Sequence, residues 1–405
     1  MKMEKFSRMK QKSRPEIRIA VLLIAMLSVS AMSIQGQEYV EFDGYLSDMQ
    51  SVYKIPDLNW LWENNLHNRL NFHFYPVNWL TGSIQVRNRF ITGNTTVKFP
   101  GYAEGIQADK GFVDLSFAAS GRLNDHSGYI AYSNIDRLWL QFTVGSFEAK
   151  IGRQRINWGQ TFVWNPNDLF NSYTYFEVDY PERPGSDAVR LQYYPGMTSS
   201  IELAAKIDSA EKVTAAAYFR TNALAYDFQF LGGIYNGADL ILGTGWSGNL
   251  WKIAFRGELS YFRDMANFHD TTGYLITSAG LDYTFSNSLC FRTELLYSAF
   301  ARDLDITNFL QFYAGDLDVK TLGFTEWAFF FNVSYLFTPL INGGMAAIIY
   351  PEWKGFYIGP NLEASITNNM DLSFIFQFFS AEFEVNSITS RENNTLGFLR
   401  LKWNF

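Results

Sequence analysis

The chain has 405 residues, and Phe, Tyr and Trp together make up 18% of them. Charged residues make up only 18%, below the roughly 25% that is typical of soluble globular chains. No apolar run reaches the roughly 18 to 20 residues that a membrane helix needs, which excludes a helical membrane protein. A net charge of −7 disfavours a nucleic-acid-binding protein. The single cysteine, Cys290, can form neither an internal disulfide bond nor a cysteine-based metal cluster.

The first 36 residues have the three-part pattern of a secretory signal peptide. Basic residues precede an apolar stretch from Ile19 to Leu27, and small residues follow up to Gly36. Because the apolar stretch is too short to span a membrane, we expect cleavage between residues 31 and 36 and export of the mature chain. Residues 37–405 are predicted to form a single domain.

From Tyr39 onward, apolar and polar residues alternate in blocks of about ten, a pattern typical of β-strands with one apolar face. In residues 66–75, for example, Leu70 and Phe72 fall on one face and Asn71 on the other. The next block alternates in the same way after a tight turn, so the two blocks are predicted to form a hairpin. A soluble β-sandwich also alternates, but Val, Ile and Leu fill its core more than aromatic residues do.

The connectors between the blocks alternate in length. Short turns such as Gly145-Ser146 are followed by connectors that include the long stretches 92–134, 158–186 and 301–324. Short turns on one rim and long loops on the other are the plan of an outer-membrane barrel, whose strands expose apolar side chains to lipid. The aromatic excess then has a cause, since Trp and Tyr anchor at both membrane interfaces.

The blocks predict an all-β, antiparallel transmembrane barrel of eighteen strands, with short periplasmic turns and long extracellular loops. An even count places both termini on the periplasmic side. Two blocks are weak, those near Lys212 and Ala238, so sixteen strands is the alternative. Alternate residues such as Phe329, Phe331 and Val333 are predicted to face lipid. The strands are expected to begin near Tyr39, Asn64, Trp79, Ile135, Phe147, Asp187, Ser199, Lys212, Ala223, Ala238, Leu250, Tyr274, Leu289, Thr325, Ile341, Phe356, Met370 and Asn394.

The last block ends with alternate apolar residues, Leu399, Leu401, Trp403 and the terminal Phe405. This pattern resembles the C-terminal signal by which the barrel-assembly machinery recognises outer-membrane barrels. That machinery is therefore an expected partner, together with outer-membrane lipids and lipopolysaccharide. The resemblance implies insertion into the outer membrane of a Gram-negative cell.

Three further segments resemble a group of porin-like Gram-negative barrels. They are residues 44–53, residues 68–76 and, above all, the sequence Gly-Arg-Gln-Arg-Ile-Asn-Trp-Gly at 152–159, which residues 164–170 follow. The group is related to alginate-export barrels and includes many members of unknown function. The resemblance spans the chain and implies a pore or transport role, but it supplies no catalytic residues.

The four histidines, His67, His73, His126 and His269, do not form a recognisable catalytic motif. His67 and His73 share a strand face but lie six residues apart, about 20 Å along the strand, too far to share a metal ion. The sequence contains neither His-Glu-x-x-His nor Gly-x-Ser-x-Gly. We therefore expect no enzymatic activity, no metal site and no cofactor.

A pore needs a polar lumen, and charged residues on predicted inward faces offer one. Opposed basic and acidic walls would favour small polar or charged solutes over apolar ones. The sequence therefore predicts a porin or channel for passive diffusion of such solutes; alternatively, these residues pair with neighbours and fill the lumen. The basic residues are Arg87, Arg89, Arg137 and Arg190, and the acidic ones are Glu258, Glu294, Glu326 and Glu363.

Strict alternation would turn Arg153 and Arg155 towards lipid, at a cost of up to about 2 to 4 kcal/mol each at mid-membrane. We therefore predict a one-residue bulge at Gly152, which turns both arginines into the lumen and places Ile156 and Trp158 against lipid. Arg153 and Arg155 would then join the basic wall as a solute-selective constriction. The alternative is that the strand has already left the bilayer at Gly152.

The stretch 158–186 is too aromatic to lie fully in water, so it is expected to fold inward and narrow the pore. If it fills the pore completely, the protein is instead a structural barrel or one that attaches a surface polysaccharide. The sequence leaves open whether the barrel forms a homotrimer. The aromatic residues of this stretch include Trp164, Phe170, Tyr173, Tyr175, Phe176 and Tyr180.

Overall fold

The computed structural model describes residues 39–405, apart from 57, 100, 108, 173–174, 271, 315–317 and 386. The predicted signal peptide, like Tyr173, lies outside the described residues. Within the described part, nineteen antiparallel strands form one sheet. They are β1 (Val40–Ile55), β2 (Asn59–Val77), β3 (Leu80–Gly93), β4 (Ser116–Arg122), β5 (Gly128–Val144), β6 (Phe147–Gln154), β7 (Ser186–Gly196), β8 (Ser199–Ile207), β9 (Val213–Ala223), β10 (Tyr226–Tyr235), β11 (Asp239–Leu250), β12 (Ile253–Asp264), β13 (Tyr274–Thr284), β14 (Cys290–Ser298), β15 (Trp327–Thr338), β16 (Ile341–Tyr350), β17 (Gly355–Thr367), β18 (Met370–Val385) and β19 (Ile388–Asn404).

Eighteen of these strands form a closed barrel wall, which confirms the prediction. Each wall strand pairs with the next one along the chain, and β19 pairs with β1 from Tyr45↔Asn404 to Lys54↔Thr395. The remaining strand, β4, was not predicted. It pairs with Gly128–Asn134 of β5, above the point where the short β6 ends at Gln154. β4 therefore continues the wall where β6 stops.

The two rims differ as the connector lengths predict. At the rim that carries both termini, the turns between described strands have two to five residues. The opposite rim carries the long connectors 94–127, 155–185 and 299–326. The first contains short helices at Thr95–Lys98 and Tyr102–Gln107, and the third contains short helices at Ala299–Asp303 and Phe309–Ala314. None of the helices in the described part of the chain is long and apolar enough to cross a membrane.

The outward face of the wall is apolar. In β15, Phe329 is 36% and Phe331 is 46% exposed, whereas Phe330 between them is only 3% exposed. Phe329 and Phe331 therefore face lipid as predicted. Comparable exposed apolar residues occur around the wall and include Leu140, Ile151, Leu203, Phe230, Leu281, Met345, Leu362 and Leu399.

The inward face changes character with height, which the alternating pattern did not reveal. Towards the rim with the turns it is polar, but towards the long connectors it carries buried residues such as Leu296, Phe330 and Phe379. These wall residues also pack against the connectors. The ring of Phe312, for example, stacks on Phe379 at 4.7 Å. The extracellular half of the lumen therefore contains a hydrophobic cluster that wall and connectors build together.

The terminal Phe405 closes the barrel at the periplasmic rim. Its N–H donates to the carbonyl oxygen of Gly44 at 3.0 Å, and its own carbonyl oxygen accepts from the N–H of Gly44 at the same distance. Its ring lies 6.0 Å from that of Phe42 and 5.3 Å from that of Trp403. The residue that resembles an assembly signal thus also contributes to the seam between β1 and β19.

Deletion of Phe405 is expected to impair assembly more than the stability of the finished barrel. One apolar side chain at the lipid interface contributes only about 2 to 3 kcal/mol, so most of the folded stability remains. Two measurements compare the truncated chain with the wild type. The amount of protein in outer membranes should fall, whereas the urea midpoint of the barrel refolded in detergent should change little. As a control, Phe72→Ala removes a ring at the same rim outside the signal and should assemble normally. Normal membrane levels of the truncated chain would contradict the prediction.

Candidate solute pathway

The connector 155–185 enters the lumen and is held there by two wall carboxylates. Glu258 of β12 accepts from the backbone N–H groups of Gln160, Thr161 and Asn167, the last at 2.9 Å. Glu294 of β14 accepts from three more. The donors to Glu294 are Phe162, Val163 and Trp164, the first and last at 2.8 Å.

The two glutamates satisfy backbone N–H groups that would otherwise be buried without a hydrogen-bond acceptor. A connector inside a barrel has no strand neighbour, so its N–H groups need other acceptors. An ionised carboxylate is a strong acceptor for several N–H donors at once. Glu258 is 0% and Glu294 is 1% exposed, so both predicted lumen glutamates lie in the lumen as anchors of the connector.

The start of this connector corrects part of the sequence interpretation. Ile156 and Trp158 were predicted to lie against lipid, but they are buried inside the barrel, at 0% and 2% exposure. Trp158 stacks on Tyr218 of β9 at 4.9 Å, and its Nε1 donates to Glu202 at 3.0 Å. The reason is that β6 ends at Gln154, so the chain turns inward before the next residues could face lipid.

The predicted bulge at Gly152 is also wrong, because β6 pairs with β5 and β7 through Gly152 without a register shift. Glycine is nevertheless required there. Its φ is +113°, and a Cβ would lie 2.2 Å from the carbonyl oxygen of Leu138. A register shift occurs instead between β3 and β5, where Asp136 is left without a partner residue.

Several arginines bind the connectors rather than an open lumen. Arg153 is 4% exposed, and its guanidinium contacts Asp187 and Asp109, each at 2.7 Å. Arg137 donates to the carbonyl oxygens of Glu182 and Arg183 at 2.9 and 2.6 Å. These contacts tie the end of connector 155–185, and the stretch before β4, to the wall.

The remaining arginines differ in their surroundings. The Arg87 guanidinium lies 3.6 Å from the ring centre of Tyr180, and its Nε contacts Nε2 of His67 at 3.3 Å. Arg190 pairs with Glu202 of β8 at 2.6 Å. Arg155 is half-buried within the connector. The structure therefore places the predicted arginines on one side of the barrel, but most have protein partners.

Arg89 lines a cavity. The side chain is 7% exposed, and its Nε has no hydrogen-bond partner among the described residues. The cavity has a volume of about 460 Å³ and lies between β1–β3, the first long connector and connector 155–185. Its other walls are aromatic, aliphatic, acidic and, at Lys110, basic, and they include Tyr53, Glu63, Phe99, Tyr102, Lys110, Phe176, Glu177, Asp179, Tyr313 and Phe398.

The acidic groups of this cavity are already hydrogen-bonded. Glu63 accepts from the hydroxyls of Tyr53, Thr95 and Tyr102 at 2.7 to 2.9 Å. Asp179 accepts from Nδ2 of Asn65 at 2.8 Å and contacts Nδ1 of His67 at 3.1 Å.

The two other predicted glutamates lie apart from this region. Glu363 is exposed on the inward face of β17, towards the periplasmic rim. Glu326 precedes β15 at the extracellular rim, where it pairs with Arg302 and lines an outer groove beside Tyr297 and Trp327. The prediction that Glu326 lies in the lumen is wrong, because the strand begins only after it.

Inward residues of the periplasmic half include one that the sequence interpretation missed. Arg220 of β9 is exposed on the same face as the buried Tyr218. β9 and β17 lie eight strands apart in the eighteen-stranded wall, so Arg220 and Glu363 are on nearly opposite sides of the lumen. The alternating pattern of β9 could have identified Arg220.

The histidines do not converge. His67 is in β2, His73 lies six residues further along the same strand, and His126 and His269 are in separate connectors. The described residues contain no group of three His, Cys, Asp or Glu side chains that could hold a metal ion.

No protein-family model matches the sequence, and no curated protein matches it significantly. Solved structures do match the fold. The chain is similar to Pseudomonas aeruginosa OccK11 (OpdR), with a TM-score of 0.56 and 10% identity over 92% of this chain and 100% of that one. It is similar to Acinetobacter baumannii OccAB2, with a TM-score of 0.55 and 12% identity over 90% and 98%. It is also similar to P. aeruginosa OccK7 (OpdD), with a TM-score of 0.52 and 8% identity over 91% and 99%.

The fold is that of a porin-like barrel. Its closed wall and outward apolar belt are those of proteins that span the outer membrane of Gram-negative cells. At these identities the likeness concerns the fold alone. The resemblance to alginate-export barrels stays a prediction.

Asp168 is a buried carboxylate that the sequence interpretation did not single out. It is 1% exposed, and neither oxygen receives a well-aligned hydrogen bond from the described residues. Burial raises the pKa of Asp168 to about 6, against the opposing charges of Arg155, Arg183 and Lys206 and the nearby N–H of Asn171. The inward connector therefore contains a carboxyl group that takes up a proton at a higher pH than an exposed aspartate does.

We expect connector 155–185 to be held more tightly at pH 5 than at pH 7.5. A carboxyl group whose pKa is raised on folding stabilises the folded state at low pH. This stabilisation is fully present below the pKa of the unfolded chain, about 4, and is lost as the pH rises through the pKa of the folded chain, about 6. The check is hydrogen exchange of residues 160–170, corrected for intrinsic rates. Asp168→Asn should reduce the difference, and Asp125→Asn, at an exposed position, should leave it unchanged. Equal protection at both pH values in the wild type would refute this expectation.

Proposed function

We propose that the protein is an outer-membrane channel for passive diffusion of small polar or charged solutes. The observation that carries the proposal is the cavity beside Arg89. A barrel of eighteen strands is too wide for its own wall side chains to fill, so the connectors decide what passes. They leave about 460 Å³ of space against a buried cation. An incompletely bonded buried cation costs free energy unless a solute or water supplies the missing acceptor.

The cavity favours a solute that carries a negatively charged group. Its carboxylates, Glu63, Glu177 and Asp179, already accept hydrogen bonds from the protein. The unused donor is Nε of Arg89. Aromatic side chains such as Tyr102 and Phe176 offer contact to an apolar portion of the same solute.

The periplasmic half of the lumen supports the same function. Arg220 and Glu363 are exposed on nearly opposite walls and give the lumen a basic and an acidic side. Opposed charges of this kind order water across a pore and favour polar solutes over apolar ones. The anchors Glu258 and Glu294 serve the pathway indirectly, by fixing the connector that narrows it.

A sealed structural barrel is the second candidate, and the hydrophobic cluster of the extracellular half favours it. Residues of the wall and of two connectors pack together there, as Phe176 does on Phe312 and Tyr357 at 5.2 and 5.0 Å. A barrel closed in this way would attach a surface polysaccharide rather than transport a solute.

Liposome swelling with a neutral sugar, its carboxylate and its amine tests the proposal. The carboxylate should enter fastest, and Arg89→Gln should remove that preference. Lys98→Gln is the matched control, because this lysine is exposed nearby and does not line the cavity. If none of the three solutes enters, the channel proposal fails and the sealed barrel is favoured.

A further inference from the structure

Polar side chains interrupt the outward apolar face on strands β1 and β2. From the periplasmic rim upward, the pairs on this face are Phe42↔Phe72, Gly44↔Leu70, Leu46↔Asn68, Asp48↔Leu66, Gln50↔Asn64 and Val52↔Trp62. Asp48 and Gln50 are exposed on this surface. We call Asp48, Gln50, Asn64 and Asn68 the outer polar patch.

The outer polar patch lies within the membrane zone. The rings of Phe42 and Phe72, 4.8 Å apart, mark its lower edge, and the exposed Val52 and Trp62 mark its upper edge. The ten residue steps from Phe42 to Val52 rise about 33 Å along the strand, or about 25 Å across the membrane at a usual strand tilt. Asp48 is six residues above Phe42, inside the apolar belt.

The patch is only partly satisfied by its own hydrogen bonds. Nδ2 of Asn64 and Nε2 of Gln50 both donate to the same oxygen of Asp48, Oδ1, the second at 3.4 Å. Nδ2 of Asn88 donates to Asn68 at 3.2 Å, and these two asparagines are covered by their neighbours. The exposed part of the patch is therefore a carboxylate with two amides around it.

Lipid chains offer no hydrogen bonds to such a group. Elsewhere on the wall, outward positions carry residues such as Ile151, Leu203 and Phe230, each of which is exposed and apolar. A protein surface, unlike lipid, can supply hydrogen-bond donors and acceptors to the outer polar patch.

We propose that a second copy of this chain covers the outer polar patch. Two copies that insert in the same direction can be related only by a rotation axis along the membrane normal, so groups at equal height meet. A two-fold axis between β1 and β2 places β1 of each copy against β2 of its partner. Gln50 of each copy then faces Asn64 of the other, and Asp48 lies beside both amides. Because the patch contains both an acceptor and donors, it is complementary to itself.

Oxidative cross-linking in intact outer membranes tests this interface. Gln50→Cys in one copy and Asn64→Cys in a co-expressed second copy should give a cross-linked dimer, because the axis places β1 of one copy against β2 of the other. Phe230→Cys should not, because β10 lies on the opposite side of the barrel. The native Cys290 is buried, so the wild type serves as background. Co-expressed Gln50→Cys and Asn64→Cys barrels that stay monomeric, or that cross-link to a different protein, would overturn the proposal.

A second variant separates the interface from folding. Asp48→Leu with Asn64→Leu makes the face as apolar as the rest of the wall, so the barrel should still insert. Its mass in non-denaturing detergent should fall from two chains to one. A wild type of one chain, or a double variant that keeps two, would contradict the interface.

Discussion

Replacement of both Glu258 and Glu294 by Gln is expected to raise the single-channel conductance several-fold. Together these carboxylates accept six backbone N–H bonds from connector 155–185. Glutamine has the same shape but one acceptor oxygen, and its NH₂ group would face N–H donors. Each buried donor left without an acceptor costs about 1 to 3 kcal/mol, so the connector should leave the lumen.

Glu363→Gln is the matched control for this experiment. Glu363 also faces inward but has no hydrogen bond to the connector among the described contacts, so its removal should leave the pore size unchanged. Conductance is measured in planar bilayers, and hydrogen exchange of residues 158–168 reports the release directly. If the double variant exchanged and conducted like the wild type, the two carboxylates would not be the anchors.

Replacement of Arg153 by Ala is expected to lower the free energy of unfolding by about 3 to 5 kcal/mol. The change leaves Asp109 and Asp187 without the guanidinium that both contact at 2.7 Å. An uncompensated buried charge is among the most costly single changes in a protein. The measurement is the urea midpoint of the refolded barrel.

Arg302→Ala provides the comparison. Arg302 also pairs with a carboxylate, Glu326, but its side chain is 59% exposed, so its removal should leave the urea midpoint close to that of the wild type. Equal costs for the two variants would show that the Arg153 contacts do not stabilise the fold. An Arg153→Ala barrel that is stable but has lost its ion selectivity would support the constriction predicted from the sequence.

The wall could be predicted from the sequence because lipid and lumen impose opposite demands on neighbouring residues. In β15, the alternation that places Phe329 and Phe331 outward is visible in the printed sequence. The turns between wall strands are equally local, since two residues such as Gly145-Ser146 suffice to reverse the chain. Strand number and the lipid-facing side could therefore be predicted from residues close together in the sequence.

The interior depends on contacts between distant residues, and this is where prediction failed. Glu258 and Glu294 resemble open lumen charges in the sequence because their partners are backbone groups about 90 to 130 residues away. Phe330 faces inward although it is apolar, because the connectors cover it. β4 is seven residues long and lies within a connector, so its pairing with β5 had no distinct local pattern.

Gly152 shows the same limit on a smaller scale. The sequence correctly marked it as a special backbone position, and its φ of +113° agrees. The position does not shift the register, however, and the arginine after it is enclosed by a carboxylate of another connector, Asp109, and one of β7, Asp187. The direction that the chain takes after such a glycine depends on tertiary contacts, and the neighbouring residues do not specify them.

The most direct test of the channel proposal is the current through single wild-type barrels in a planar bilayer. The proposal predicts discrete, stable conductance steps that favour anions and whose anion preference Arg89→Gln removes. Purified barrels that insert, as protease protection of the bilayer-embedded strands would show, yet give no steps above the baseline would contradict it.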